Sequence, residues 1–217
     1  MNLMDGSFEH SKTLAGVGAI LLLLGLVPYA GWVLAIVGVV LLVIGIKDLA
    51  KYYQDENVYQ NTLTGVKFYV VAVVAAAAAI VAIMIGIASA TDFKFTNFTN
   101  FVPTVGFGIG VVALLAGLIV AFVFYVLAAS HLKRALDTLA QKSGEASFTT
   151  AGTLLWLGAI LTIVLVGLVL IFVAWIFATI GFFSMKSRQY QQFSSQQASY
   201  GYTPPSPSSP QPGIQQP

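Results

Sequence analysis

The side chains best suited to chemistry in this sequence are two histidines, His10 and His131. An imidazole can carry a proton near neutral pH or bind a metal ion. A zinc site takes three or four ligands, commonly further histidines, cysteines or carboxylates at short spacing. This chain has no cysteine, and neither histidine lies in a paired acidic motif. We therefore predict no metal site and no cofactor, and we assign no catalytic role to either histidine.

The carboxylates would suit a different chemistry, because pumps and transporters relay protons or ions through ionisable residues at membrane depth. All eight lie outside the long apolar segments: Asp5, Glu9, Asp48, Asp55, Glu56, Asp92, Asp137 and Glu145. Those segments hold only scattered hydroxyls such as Ser89, Thr162 and Thr179, which usually bond to their own helix backbone. No Ser-His-Asp pattern or phosphate-binding loop is visible. The sequence therefore argues against an ion pump and predicts a protein that is not an enzyme.

The elements that must position these residues are predicted from hydropathy. Of the 217 residues, 58% are hydrophobic and 8% charged, against about a quarter charged in soluble domains. The net charge of +2 is too small to predict nucleic-acid binding. We predict an all-α integral membrane protein whose partner is the lipid bilayer. Four uncharged segments exceed the ~18 residues that mark a spanning helix: Thr13 to Ile46, Phe68 to Thr91, Val102 to Ser130 and Phe148 to Met185.

The first of these segments is too long for one crossing. A helix from Thr13 to Ile46 would be about 50 Å long, whereas the hydrocarbon core of a bilayer is about 30 Å thick. Pro28 is suited to ending one arm and Gly31 to a turn, while Tyr29 and Trp32 suit a membrane interface. We therefore predict a helical hairpin whose tip contains Pro28, Tyr29, Gly31 and Trp32.

An internal repeat extends this interpretation to the rest of the chain. Sliding the sequence on itself by 136 residues places Gly31 on Gly167, which predicts a second hairpin tip there. Similar openings at Thr13, Thr62 and Thr149 indicate three tandem helical hairpins. A threonine is also an ordinary helix start, so independent helices stay open as an alternative. The six predicted helices cover approximately residues 13–28, 30–47, 67–90, 104–130, 150–165 and 168–185.

The basic residues predict the orientation. With three hairpins and a cytoplasmic N-terminus, every lysine and arginine except Lys94 lies on the cytoplasmic side, whereas four single crossings would divide them almost evenly. The positive-inside rule therefore predicts a multi-pass plasma-membrane protein with both termini in the cytoplasm. It does not distinguish crossing hairpins from re-entrant ones, because both return the chain to the same side. Four crossings plus re-entrant hairpins stay as the alternative.

Glycines recur every seven residues in the predicted helices, which places small residues along one face and lets two backbones approach closely. We expect these faces to pack within the chain, or between copies in a homo-oligomer or membrane complex. The residues concerned are Gly18, Gly25, Gly38, Gly45, Gly110 and Gly117.

Two segments are predicted to lie outside the helices. Asn97 begins an Asn-Phe-Thr triplet, an N-glycosylation pattern, in the predicted external loop. Residues 187–217 are rich in glutamine, serine, proline and tyrosine, a composition that cannot bury a core and predicts a disordered cytoplasmic tail. Such a tail is either a docking segment for a cytoplasmic partner or a solvated terminus. The predicted division is a membrane domain over 1–186 and this tail.

Two stretches resemble a known family. They are "LVPYAGWVLAIVGVVLLVIGIKDLAKYYQDENVYQN" and "FTTAGTLLWLGAILTIVLVGLVLIFVAWIFATIGFFSM". They resemble the domain of unknown function 996 family, small membrane proteins found mainly in archaea. The resemblance covers roughly Ser11 to Lys186, and its most specific pieces are the tip at Pro28 and the pair Phe182 and Phe183. It implies an archaeal plasma membrane and carries no functional residue.

The function predicted from these features is a non-enzymatic membrane organiser or accessory subunit. Short hairpins, glycine-rich faces and an adhesive tail favour it. A channel or carrier for a small neutral or apolar solute is the alternative, and it requires a continuous cavity lined by Ser89, Tyr125, Thr162 and Thr179. An enzyme acting on lipid ranks third.

Overall fold

The computed structural model describes residues 3–25, 31–88, 105–164 and 166–186. Within these ranges the chain is all-α, with six α-helices, one 3₁₀ turn and no strand. The helices belong to one compact unit, Met1–Met185. Pro28, Tyr29, Ser89, Asn97 and the predicted tail 187–217 lie outside the described residues. The elements are α1 (Leu3–Leu24), α2 (Gly31–Tyr53), α3 (Glu56–Ala88), α4 (Val105–Ser143), α5 (Ser147–Leu161), the 3₁₀ turn Thr162–Val164 and α6 (Val166–Ser184).

Each helix packs against its neighbours along the chain, and α1 also packs against α6. The six helices therefore close into a ring in chain order. Consecutive helices run antiparallel, as the contacts between α1 and α2 illustrate. A Cβ atom at Gly18 would lie 2.6 Å from the backbone nitrogen of Leu42, and one at Gly45 would lie 2.5 Å from the backbone nitrogen of Ala15.

Small residues bring α3 and α4 together along most of their length. In α3 the buried positions Gly65, Ala72, Ala79 and Gly86 recur every seven residues, which keeps one face of the helix towards its neighbour. A Cβ atom at Gly86 would lie 3.0 Å from the Cα atom of Gly110 in α4. Because no large side chain separates α3 from α4 at these positions, the backbones of the two helices contact each other directly.

Three helices, α1, α3 and α4, extend well past their predicted bounds at one end. We predicted helices beginning near residues 13 and 67 and one ending near 130, whereas α1 begins at Leu3, α3 at Glu56 and α4 ends at Ser143. Thr13 and Thr62 consequently lie inside helices rather than at helix starts. Hydropathy follows only the apolar part of a helix, and these extensions are amphipathic. Their inward residues, including Phe8, Val58 and Leu139, are fully buried.

The turn between α2 and α3 explains why the two helices are separated by only two residues. Gln54 adopts a left-handed conformation with φ of 54°. Its backbone N–H donates to the Lys51 carbonyl, and the Asp55 N–H donates to the Ala50 carbonyl, the pattern of a Schellman helix ending. The Asp55 carboxylate then accepts a hydrogen bond from the Asn57 N–H at 3.1 Å and so caps α3.

The largest fully buried side chains lie at the end of the ring that carries the charges. Phe8 packs on Tyr52 with ring centroids 4.5 Å apart, and Phe148 packs on Phe182 at 4.9 Å. The described Lys, Arg, Asp and Glu side chains all lie in this half of the molecule. They belong to the first part of α1 or α3, to the last part of α2 or α4, or to a neighbouring turn or chain end. The opposite half is apolar and far more exposed.

Among the residues that the structure describes, five helices are long and apolar enough to cross a membrane: α2, α3, α4, α5 with its 3₁₀ turn, and α6. The first half of α1 carries Glu9, His10 and Lys12, and α1 is not among the five. The prediction of an all-α protein is confirmed for the described residues.

Candidate functional site

A cavity of about 240 Å³ lies at the centre of the ring of helices. Every helix contributes to its wall, including the small residues Gly65, Ala128 and Ala129 on α3 and α4. Small side chains at these positions leave space that leucine would fill. The other lining residues are Leu22, Gly25, Ala35, Val39, Leu42, Val66, Tyr69, Tyr125, Leu132, Leu155, Leu168, Ile171 and Trp175.

Three aromatic side chains supply the polar groups of the cavity wall. The rings of Tyr69 and Tyr125 lie 6.3 Å apart at an angle of 50°, and Trp175 lines the cavity from α6. With all other lining side chains apolar, the site suits an apolar molecule with at most one or two polar atoms.

The hydroxyls predicted to line a solute pathway do not come together here. Thr162 donates to the Gly158 carbonyl at 2.7 Å, and Thr179 donates to the Trp175 carbonyl at 2.8 Å, so both bond to their own helices. Ser89 lies outside the described residues. Of the four predicted residues, only Tyr125 lines the central cavity. The cavity is thus apolar rather than hydroxyl-lined.

The two histidines occupy different surroundings. His131 on α4 lies 3.2 Å from the Asn61 side-chain oxygen through its Nδ1 atom, and its ring is 5.4 Å from that of Phe68. His10 is exposed on α1. Across the described ranges no three His, Cys, Asp or Glu side chains are grouped as metal ligands would be.

One ion pair connects two helices at the charged end, and others lie within single helices. Lys142 on α4 lies 3.1 Å from Asp55 in the α2–α3 turn, Lys133 lies 2.7 Å from Asp137, and Lys12 lies 2.9 Å from Glu9. The hydrogen bond from Lys142 lowers the pKa of Asp55 below its ordinary value, and the backbone bond from Asn57 acts in the same direction against the effect of burial. These pairs order the charged end and leave the cavity uncharged.

The predicted hairpin-tip residues that the structure describes are Gly31, Trp32 and Gly167. A Cβ atom at Gly31 would collide with the Gly25 carbonyl, and one at Gly167 would collide with the Gly158 carbonyl. Both glycines thus lie where the chain returns against the preceding helix. Trp32 is 69% exposed.

The predicted packing glycines lie at close approaches between consecutive helices. Gly18 and Gly45 face α2 and α1 respectively, as described above. A Cβ atom at Gly38 would lie 2.9 Å from the Gly18 carbonyl oxygen, one at Gly25 2.9 Å from the Ala35 Cβ, one at Gly110 3.1 Å from the Gly86 Cα, and one at Gly117 2.6 Å from the Ala79 Cβ.

Sequence reasoning missed the cavity itself. Its lining residues recur at helical spacing, as in Ala35, Val39 and Leu42 or Leu168, Ile171 and Trp175. That spacing marks an inward face. It is equally typical of a filled core, so the pattern alone does not indicate an empty space.

The fold and site define a class of protein: its described residues form helices around an apolar cavity, and five of these helices are long and apolar enough to cross a membrane. The chain belongs to the family described as protein of unknown function (DUF996), which matches residues 34–176, and the resemblance seen in the sequence is confirmed. It is similar to an uncharacterized protein of the archaeon Methanocaldococcus jannaschii, with 30% identity over 179 residues that cover 82% of this chain and 92% of that protein. No solved structure matches.

Proposed function

We propose that this protein is a non-enzymatic organiser of the plasma membrane, or an accessory subunit within it, inserted as three helical hairpins of unequal depth. The hairpins are α1–α2, α3–α4 and α5–α6. Both termini lie on the cytoplasmic side, because the positive charges of the described helices gather at one end of the ring and positive charge favours the cytoplasmic face.

The unequal depth of the hairpins carries the proposal. From Lys67 to its last residue Ala88, α3 extends about 32 Å, enough to cross a hydrocarbon core of about 30 Å. From Lys12 to the end of α1 at Leu24 the distance is only about 18 Å. In this proposal the middle hairpin therefore crosses the bilayer, whereas α1 ends inside it.

The third hairpin is short in the same way. A Cβ atom at Gly152 on α5 would lie 3.3 Å from the Cα atom of Lys133, so these two residues mark one level of the ring. From Gly152 to the end of the 3₁₀ turn at Val164 the chain extends at most about 24 Å. This length is less than the thickness of the hydrocarbon core.

The tip of the third hairpin has the composition expected of a segment in hydrocarbon. Turns in water are usually built from glycine, proline, asparagine, aspartate and serine. Here the turn exposes Ile163 (73%) and Val164 (64%), and Val166 beyond it is also exposed. The Thr162 hydroxyl bonds to the Gly158 carbonyl, which satisfies a polar group that lipid could not.

Such a shape occupies the two leaflets unequally. All six helices lie in the cytoplasmic half, whereas mainly α3 and α4 continue through the other half. A protein that takes more area in one leaflet favours curvature of the membrane. The exposed apolar faces of α4, which include Ile109, Val112 and Ile119, offer a surface to lipid or to the helices of a partner.

Depth and orientation can be tested with single cysteines, because the natural chain has none. A membrane-impermeant maleimide should label Gln60→Cys in inverted vesicles only. It should label Ile163→Cys in neither orientation until detergent is added. Labelling of Ile163→Cys from outside would overturn the partial depth, and labelling of Gln60→Cys from outside would overturn the orientation.

The organising role can be tested by vesicle shape. Purified protein added to phosphatidylcholine vesicles should produce smaller or tubular vesicles by electron microscopy, with protein-free vesicles as the control. Vesicles of unchanged size at full insertion would contradict a role in curvature. Native mass spectrometry of the protein extracted from its own membrane should then detect a stable partner if the accessory-subunit form of the proposal is correct.

A further inference from the structure

The central cavity is too large and too apolar to be a packing defect filled by water. An apolar cavity of about 150 Å³ stays dry and takes up one benzene molecule, and this one measures about 240 Å³. Its wall carries three side chains with a polar atom, Tyr69, Tyr125 and Trp175. Water would find few partners there, whereas hydrocarbon would be well accommodated.

The cavity is elongated along the helices. Its wall runs from Ala35 to Leu42 on α2, from Tyr125 to Leu132 on α4 and from Leu168 to Trp175 on α6. Each of these stretches spans seven residue steps, or about 10 Å parallel to the helix axis. A space of this form suits a flexible chain lying along the bundle better than a flat ring.

One end of the cavity lies beside the ends of the short hairpins. Gly25 follows the last residue of α1, and Leu168 is the third residue of α6. At the opposite end, Gly65 and Leu132 lie next to the level of His131 and Lys133. If the short hairpins end inside the bilayer, the first end of the cavity meets the lipid chains of the outer leaflet.

We infer that this cavity is a binding site for one hydrocarbon chain of a membrane lipid. The inference rests on the membrane insertion proposed above. The chain enters beside Gly25 and Leu168 and lies along Ala129, Leu155 and Ile171. Dispersion contacts with the lining side chains hold it, and its headgroup stays outside the cavity. The bound chain fills the centre of the ring and links the two short hairpins to the crossing one.

The test compares two Ala→Leu variants on one helix. Ala129→Leu fills the cavity, whereas Ala116→Leu adds the same atoms to an exposed position of α4. Each protein is inserted into vesicles of a single phosphatidylcholine, extracted in mild detergent and weighed by native mass spectrometry. We expect the wild type and Ala116→Leu to retain one lipid per chain and Ala129→Leu to retain about tenfold less.

A second variant and a fluorescence measurement distinguish loss of lipid binding from misfolding of one variant. Val39→Phe fills the cavity from α2 and should lose the lipid in the same way. For the second signal, Trp32 and Trp156 are replaced by phenylalanine so that Trp175 is the remaining tryptophan. Lipids with brominated hydrocarbon chains should then quench the fluorescence of Trp175, and adding Val39→Phe should weaken this quenching. Equal lipid retention by Ala129→Leu, Val39→Phe and the wild type would overturn the inference, as would an inserted wild type that retains none. Failure to insert, judged by alkaline extraction, would instead overturn the proposed function.

Discussion

Lys142, near the end of α4, holds Asp55 across the charged end of the ring, with 3.1 Å between its Nζ atom and the carboxylate. Only 14% of the Asp55 side chain is exposed, and the same carboxylate caps α3 through the Asn57 N–H. One side chain thus fastens the α2–α3 turn to the helix that leads into the α4–α5 turn.

Asp55→Asn should lower stability at neutral pH by up to about 1 kcal/mol, because asparagine keeps the cap but loses the ion pair. The pKa of Asp55 is lowered in the folded chain, mainly by the hydrogen bond from Lys142. The ionised Asp55 carboxylate therefore stabilises the fold fully above the ordinary carboxyl pKa, and this stabilisation is lost as the pH falls through the lowered pKa of the folded chain. Thermal unfolding in detergent should show a difference at pH 7 that shrinks below pH ~4. Asp48→Asn, in the exposed pair with Lys51, is the control and should change little.

The two left-handed residues should respond in opposite directions to substitution. Gln54 has φ of 54° and Gly144 has φ of 76°, a region that costs an L-residue roughly 1–2 kcal/mol. Gln54→Gly should therefore raise the unfolding free energy by up to about 1 kcal/mol after the entropy of glycine is included, and Gly144→Ala should lower it by about the same amount. Chemical denaturation in mixed micelles measures both, and a change of the same sign in the two variants would contradict the assigned turns.

Gly38→Leu should loosen the contact between α1 and α2. A Cβ atom at Gly38 would lie 2.9 Å from the Gly18 carbonyl oxygen, whereas one at Gly108 would meet nothing within 4 Å. Overpacking of this kind costs about 1–3 kcal/mol, so thermal stability in detergent should fall for Gly38→Leu and stay nearly constant for Gly108→Leu. Unchanged stability of Gly38→Leu would refute the packing role of this glycine.

Val164→Lys tests whether the tip of the third hairpin lies in hydrocarbon. A lysine at the centre of a bilayer costs about 2.5–3.5 kcal/mol, whereas an exposed lysine in water costs almost nothing. The variant should therefore unfold at a lower temperature in nanodiscs than Val164→Leu, which keeps the tip apolar. Equal unfolding temperatures would place the tip in water and contradict the proposed depth.

The sequence was informative where the physics is local. Hydropathy located the apolar parts of the helices. Gly18, Gly38, Gly110 and Gly117, which their spacing singled out as packing residues, lie close to a neighbouring helix. The hydropathy bounds leave out the extensions at the charged end, because Glu56 to Lys67 and His131 to Ser143 are amphipathic and carry charges. Apolar residues at helical spacing after His131 indicated that the preceding helix continues for a turn or two, whereas the start of α3 at Glu56 was not predicted.

What the sequence by itself determined is the class of the protein: apolar helical segments, charges outside those segments, and a family resemblance that the comparison confirms. These depend on composition and on the 3.6-residue period, which need no knowledge of neighbours. Only the tertiary structure decided that the helices close into a ring, that Lys142 meets Asp55 and that the centre is hollow. The reason is physical: a cavity exists or vanishes with shifts of a few ångströms between helices, and such shifts are set by contacts between residues far apart in the chain.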